Sequence, residues 1–294
     1  MPYLLLILTT LFWSGNVVVS RGMHAELPPF SLSFWRWAVA LLILSCFGLR
    51  HLLAQRKLAF CHRKFIILQG IVGVAGNNTF IYMAIQTTTA INAVLVTSCI
   101  PVIIVLMSWG MYNDRLSFRQ GLGVATSLSG VLLIISRGEL STLLQLEFNR
   151  GDILVFIAAI LWAFYSANLK KYPKGLHPLA YQMGIVLVGL TILLPLYLLE
   201  MYSGKTMTLS MGSIVTITYV ALFASVLAFI FWNRAVTILG ANIAGSFIHL
   251  MPVFGTILAV LFLGETLTPN HIKAIFLIFG GILMTTFRVG KSKR

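Results

Sequence analysis

The chain has 294 residues, 59% of them hydrophobic and only 10% charged, against roughly 45–50% and 25% in soluble domains. Seven acids stand against 21 bases, a formal net charge of +14. This balance excludes a soluble globular protein, which needs charge to cover its surface, and a disordered chain, which needs low hydrophobicity.

Ten apolar runs, each near the roughly 20 residues that a spanning helix needs, follow one another with short connectors. They predict transmembrane helices over 3–20, 29–49, 65–85, 90–109, 118–136, 152–169, 178–199, 211–233, 241–263 and 270–287. The runs are continuous and do not alternate, so a transmembrane β-barrel is not expected. The first run has no Lys or Arg before it and no small-residue cleavage site, so it reads as a retained span and not a signal peptide. The longest connectors are 50–64 and 137–151, and no segment has room for a separate soluble domain. The fold expected is an all-α polytopic membrane protein with the lipid bilayer as its main partner.

The bases orient the spans. With the N-terminus in the cytoplasm, fifteen of the 21 fall in the inner loops and the C-terminal tail, and five fall outside: Arg21, Arg137, Arg150, Lys205 and Lys273. Such an excess of bases in cytoplasmic loops predicts a bacterial inner-membrane protein with both termini inside. The bases are dispersed over short loops and form no single face, so no nucleic-acid partner is expected. Cys46, Cys61 and Cys99 show no C-x-x-C spacing, which indicates neither a disulfide framework nor a zinc site.

An internal repeat runs through the chain. Trp13 meets Trp162, Arg21 meets Lys170 and Pro29 meets Pro178 at an offset of 149; Ala84 meets Ala235, Pro101 meets Pro252, Asp114 meets Glu265 and Gly130 meets Gly281 at 151. Each half then carries five spans. Five is odd, so the second half enters the membrane inverted, a signature of secondary transporters with a site between the halves near the midplane. The expected units are 1–137 and 150–288, followed by a basic cytoplasmic tail at 289–294.

The stretches "LFWSGNVVVSR", "FSLSFWRWAVALLIL", "TAINAVLVTSCIPVIIVLM" and "FLGETLTPNHIKAIFLIFGGILM", in this order and duplicated, resemble the EamA family of the drug/metabolite transporter superfamily. The Gly264-Glu265-Thr266-Leu267 box is the clearest piece; Asn113-Asp114-Arg115-Leu116 stands at its first-half counterpart. The resemblance implies export of small metabolites, often amino acids or their relatives, from the bacterial cytoplasm.

Polar groups in hydrocarbon are costly and tend to face the protein interior or a wet cavity. The candidates for substrate binding are Trp13, Asn16, Arg36, Asn78, Tyr82, Trp162, Tyr165, Trp232, Asn242, Ser246 and His249. Asn78 and Tyr82 are four apart, and Asn242, Ser246 and His249 are four and three apart, so each set shares a helix face. Arg36 lies about 10 Å down its helix from Pro29. Its guanidinium either snorkels outward or holds a substrate carboxylate. Pro101 and Pro252 sit mid-span in equivalent helices and are candidate hinges. Gly70, Gly73, Gly76, Gly123 and Ser127 read as close-packing sites.

No Walker A, G-x-S-x-G or H-E-x-x-H pattern occurs, so no nucleotide, metal or other cofactor and no catalytic site is expected. The reading is a secondary transporter that moves a small-molecule substrate by alternating access through a central cavity. Two rivals stay open: a membrane-embedded enzyme, which needs clustered titratable residues at one depth, and a lipid-handling protein without solute flux.

Overall fold

The computed structural model describes residues 1–23, 26–136, 138–144, 147, 149–263 and 269–286. Among these every regular element is helical. Nine helical stretches are long and apolar enough to cross a membrane. They are α1 (Pro2–Gly22), α2 (Pro29–Ala54), α3 (Arg63–Ile85), α4 (Asn92–Tyr112), α5 (Phe118–Ser136), α6 (Arg150–Lys171), α7 (Pro178–Tyr202), α8 (Met211–Leu239) and α9 (Ala241–Leu258). A further helix, α10 (Pro269–Thr286), follows. The Gly264–Leu267 box, Arg137 and the 289–294 tail lie outside the described residues.

The helix starts follow local chemistry. Proline opens both α2 and α7, where its missing N–H is an orphan in any case. Asn149 and Asp152 form a reciprocal capping box at the start of α6, and the Ser210 side chain accepts from the Ser213 N–H at the start of α8. The 50–64 connector is itself largely helical, with Arg56–Cys61 forming a short helix.

Four of the spans are interrupted within their length. α3 contains a π-helical stretch, Gly70–Gly76, and α8 contains another, Val220–Leu227, at positions 150–151 residues apart. α4 is interrupted after Thr97, and α9 tightens into a 3₁₀ turn at Phe247–His249, again 150 residues on. The α4 and α9 interruptions both fall within the five residues before a proline. Pro101 and Pro252 stand in the first turn of the helical pieces that begin at Ile100 and Leu250. Proline is tolerated there because the first-turn N–H groups have no intrahelical partner, so the break falls just ahead of each proline.

Helices 149–151 residues apart in sequence pack on each other: α2 on α7, and α5 on α10. The remaining contacts come in matched sets, α1 with α8 as α3 with α6, and α1 with α9 as α4 with α6. The α5–α10 contact is close enough that a Cβ built on Gly281 would fall 2.4 Å from the Gly123 carbonyl oxygen, and one on Gly123 would fall 2.6 Å from that of Gly281.

Hydrogen bonds sort the connectors into two ends. Glu200 after α7 accepts from the Phe30 and Ser31 N–H groups and the Ser31 hydroxyl at the start of α2. Glu26 accepts from Ser210 Oγ at 2.6 Å. Asp152 accepts from Thr88 Oγ1 and Asn92 Nδ2. At the other, basic end, Gln55 bonds the Gly175 carbonyl and the His177 N–H at 3.0 and 2.7 Å.

Candidate functional site

The two π-helical stretches converge on Arg36. A π turn closes i→i−5 and releases backbone groups that an α turn would occupy. In α8, Ser225 Oγ donates back five residues to the Val220 carbonyl and accepts Arg36 Nε at 2.8 Å. In α3, Asn78 Nδ2 reaches back five residues to the Gly73 carbonyl, and its Oδ1 accepts Arg36 Nη1 at 3.0 Å. Tyr82 OH also accepts from Nη1, then donates to Asn16 Oδ1 at 3.1 Å, which in turn accepts from Ser20 Oγ. The guanidinium lies 5.1 Å from the Trp37 ring centroid and 5.7 Å from that of Tyr82. Arg36 is 0% exposed, so its charge is held inside the bundle and does not snorkel to an interface. Its Nη2 has no hydrogen-bond partner among the described residues.

Aromatic rings fill the space beside this network. Trp13 and Trp162 meet edge to face with centroids 4.9 Å apart, and Trp232 lies 5.3 and 5.6 Å from them. Phe229 touches Trp13, Trp162 and Trp37 at 6.3, 5.4 and 5.0 Å. Two of the indole N–H groups are tied down: Trp13 Nε1 donates to the Ala224 carbonyl in the α8 π stretch and Trp232 Nε1 to Ser166 Oγ. Tyr165 stacks on Trp162 at 5.1 Å, and Gly73 lets it do so, since a Cβ there would fall 2.4 Å from the Tyr165 ring.

A second polar chain leads from these rings toward the basic end. Tyr165 OH donates to Asn233 Oδ1 at 2.8 Å, and Asn233 Nδ2 donates to Gln182 Oε1. Gln69 donates to the Tyr165 carbonyl and accepts from Asn168, which accepts from Tyr112 OH at 2.6 Å.

The structure thus brings together Trp13, Asn16, Arg36, Asn78, Tyr82, Trp162, Tyr165 and Trp232. It does not bring Asn242, Ser246 and His249 into the same network. Asn242 Nδ2 bonds the Asp114 carbonyl, Ser246 Oγ meets Thr285 Oγ1, and His249 lies between Ser127 Oγ at 2.6 Å and the Ser98 carbonyl at 2.9 Å. The three stay near one side of the helix, since i and i+3 eclipse in a 3₁₀ turn, but that side is turned to α4, α5 and α10 and not to Arg36. A carbonyl accepts only, so His249 Nε2 carries a proton in that bond.

Sequence reasoning missed Ser225, Trp37, Phe229, Gln69 and Gln182. Gln69 and Gln182 are amides inside apolar runs and are 0% exposed, a signal the cost of buried polar groups makes readable. Glu200 also reads as a connector residue in sequence, yet it is buried.

The two ends differ. Three buried or half-buried carboxylates tie the acidic end. The basic end has one exposed ion pair, Lys170 to Asp114 at 3.7 Å, the Gln55 bonds, and the His51 and His177 rings stacked 3.7 Å apart. Partial burial, with His51 and Arg50 close by, holds the His177 imidazole below its usual pKa. A cleft of about 350 Å³ opens beside Ser108, Asp114, Lys170 and Tyr172 at this end. At the acidic end another cleft, of about 430 Å³, lies between α2, α7 and α8, lined by Ser31, Trp35, Tyr197, Met207 and Ile217.

Apolar helices surrounding a buried polar and aromatic centre define a multi-pass membrane protein. The model of the EamA-like transporter family matches residues 1–136 and 149–287; the chain belongs to this family. It is 29% identical over 293 residues to an uncharacterized transporter of Archaeoglobus fulgidus, covering 97% of this chain and 96% of that one. It is 24% identical to the uncharacterized transporter YyaM of Bacillus subtilis, covering 87% and 84%. A protein of Salmonella typhimurium named as a probable amino-acid metabolite efflux pump is 25% identical, covering 99% and 97%. These relatives are named as transporters and not as enzymes. A solved crystal structure shares the fold with a TM-score of 0.79 at 19% identity, over 97% of this chain and 96% of that chain.

Proposed function

We propose that this membrane transporter exports small metabolites, amino acids or related amphipathic solutes, across the bacterial inner membrane by alternating access. In this reading ten spans form two inverted five-helix repeats, the basic end and both termini are cytoplasmic, and the substrate passes between the halves. The observation that carries it is the packing of helices on their own equivalents, α2 on α7 and α5 on α10, as expected for units related by a two-fold axis lying in the membrane. The two separate matches to the family model support the same division. The Salmonella relative's name supports the substrate class.

The carboxylate ties at the acidic end support a conformation held together at the outer side. The aromatic rings and the Arg36 network form the substrate site, and the interrupted turns ahead of Pro101 and Pro252 are the flexing points.

Counterflow of labelled amino acids in proteoliposomes tests the reading. Saturable exchange that Trp162→Ala removes, at unchanged protein abundance, is the expected result; a panel that shows no exchange overturns it. Orientation is read separately. A cysteine from Ser141→Cys is expected to react with an impermeant thiol reagent on spheroplasts, while native Cys61 does not; reversed labelling overturns the direction.

A further inference from the structure

Arg36 is the one Lys or Arg among the described residues that is fully buried. Its partners Ser225, Asn78 and Tyr82 are all neutral. A guanidinium keeps its charge at any physiological pH, and a buried charge met by dipoles alone is costly to hold. Helix packing by itself does not require it: the equivalent position 149 residues on is Ile185, which is also 0% exposed. Only one half of the repeat therefore carries the charge.

Two donors here lack acceptors. Arg36 Nη2 and the indole N–H of the next residue, Trp37, are both buried with no partner among the described residues. Buried donors are normally satisfied, so the site is short of oxygen acceptors as well as of negative charge. Beside it lies an apolar wall, because the Trp37 ring packs on Phe229 and Phe229 packs on Trp13 and Trp162.

We infer that Arg36 holds the carboxylate of the transported solute, and that the substrate class is therefore carboxylates with an apolar or aromatic body seated on the adjoining rings. Nη2 supplies the charge-assisted hydrogen bond, while Nε and Nη1 stay fixed by Ser225, Asn78 and Tyr82, so the charge is presented without rearranging its supports. This inference rests on the export reading and narrows it to one chemistry.

Matched pairs test it: L-phenylalanine, L-leucine and L-methionine, each against its carboxamide, in proteoliposome flux and in tryptophan-fluorescence titration. The parent is expected to prefer each acid by about tenfold or more, the scale of one hydrogen bond to a charged group. Arg36→Gln is expected to lose that preference while still handling the carboxamides, and Arg36→Lys to regain part of it. Equal handling of acid and amide by the parent, or a preference that survives in Arg36→Gln, overturns the assignment. If the parent moves no solute of either series, the export reading fails. The titration still decides the site in that case: quenching by acids over amides upholds Arg36 as a carboxylate site, and equal or no quenching overturns it.

Discussion

The indole rings of Trp13 and Trp162, 149 positions apart in the chain, touch each other edge to face at 4.9 Å. A residue that meets its own repeat partner marks the place where two related halves cross. In the proposed mechanism, rocking of one half against the other would pivot near this pair. The two rings are therefore expected to be coupled. In a double-mutant cycle of Trp13→Phe and Trp162→Phe, followed by thermal unfolding in detergent, the coupling should be about 0.5–1.5 kcal/mol. Strict additivity would count against direct contact in the working protein.

The acidic-end ties should hold that end shut. Glu200→Gln removes the charge that caps the first turn of α2, an interaction of about 0.5–2 kcal/mol in comparable caps. A cysteine from Ser213→Cys, near that end, should then react faster with an impermeant thiol reagent. Adding Asp152→Asn should raise the rate again. Unchanged labelling in both backgrounds would show that the ties do not govern access.

The stack of His51 on His177 gives the basic end a pH dependence. The neutral His177 accepts the Leu179 N–H at Nδ1, and its folded pKa lies below the usual value. An imidazole with a depressed folded pKa binds fewer protons than the unfolded chain, so its contribution is whole above the ordinary value of about 6.5 and weakens as pH falls below it. Hydrogen exchange of the Leu179 amide, corrected for intrinsic rate, should be steady from pH 8 to 7 and rise on acidification. His177→Gln should flatten the profile. An amide better protected in acid would reverse the sign and refute the account.

The α5–α10 seam should tolerate no side-chain growth. Gly281→Val places methyl groups where a Cβ alone is already 2.4 Å from the Gly123 carbonyl oxygen and 2.5 Å from the Ser127 N. Overpacking of this kind costs about 1–3 kcal/mol, so membrane abundance and thermal midpoint should both fall. Gly280→Val, at a neighbouring position with open space, should be near neutral. Equal effects at the two positions would argue against a close seam.

The spans were legible because twenty apolar residues in a row have few other solutions, and the repeat because Trp13, Pro29 and Pro101 leave recognisable partners. Arg36 stood out for the cost of its charge. Other features were closed to that reading. Nothing in "GIVGVAG" or "VALFASVL" distinguishes a π turn from an α turn, since both bury the same apolar groups. Glu200 follows an apolar run as any loop acid does, and only tertiary packing brings the start of α2 to its carboxylate. Asn242, Ser246 and His249 do lie near one side of their helix, as the spacing says, but only tertiary packing turns that side to α4, α5 and α10 instead of to Arg36.

The π stretches carry a further consequence, one of chain length. Each wide turn accommodates a residue that an ordinary helix has no room for. Removing one residue from within Gly70–Gly76 lets that turn close to α geometry while the residues on either side keep their relative register. Asn78 then loses the freed Gly73 carbonyl to which it reaches back, and with it the support that aims its Oδ1 at Arg36. The same deletion in Val220–Leu227 takes from Ser225 the Val220 carbonyl that orients its hydroxyl toward Arg36 Nε. The number of residues in these two turns, more than their identity, keeps the two supports of the guanidinium in place.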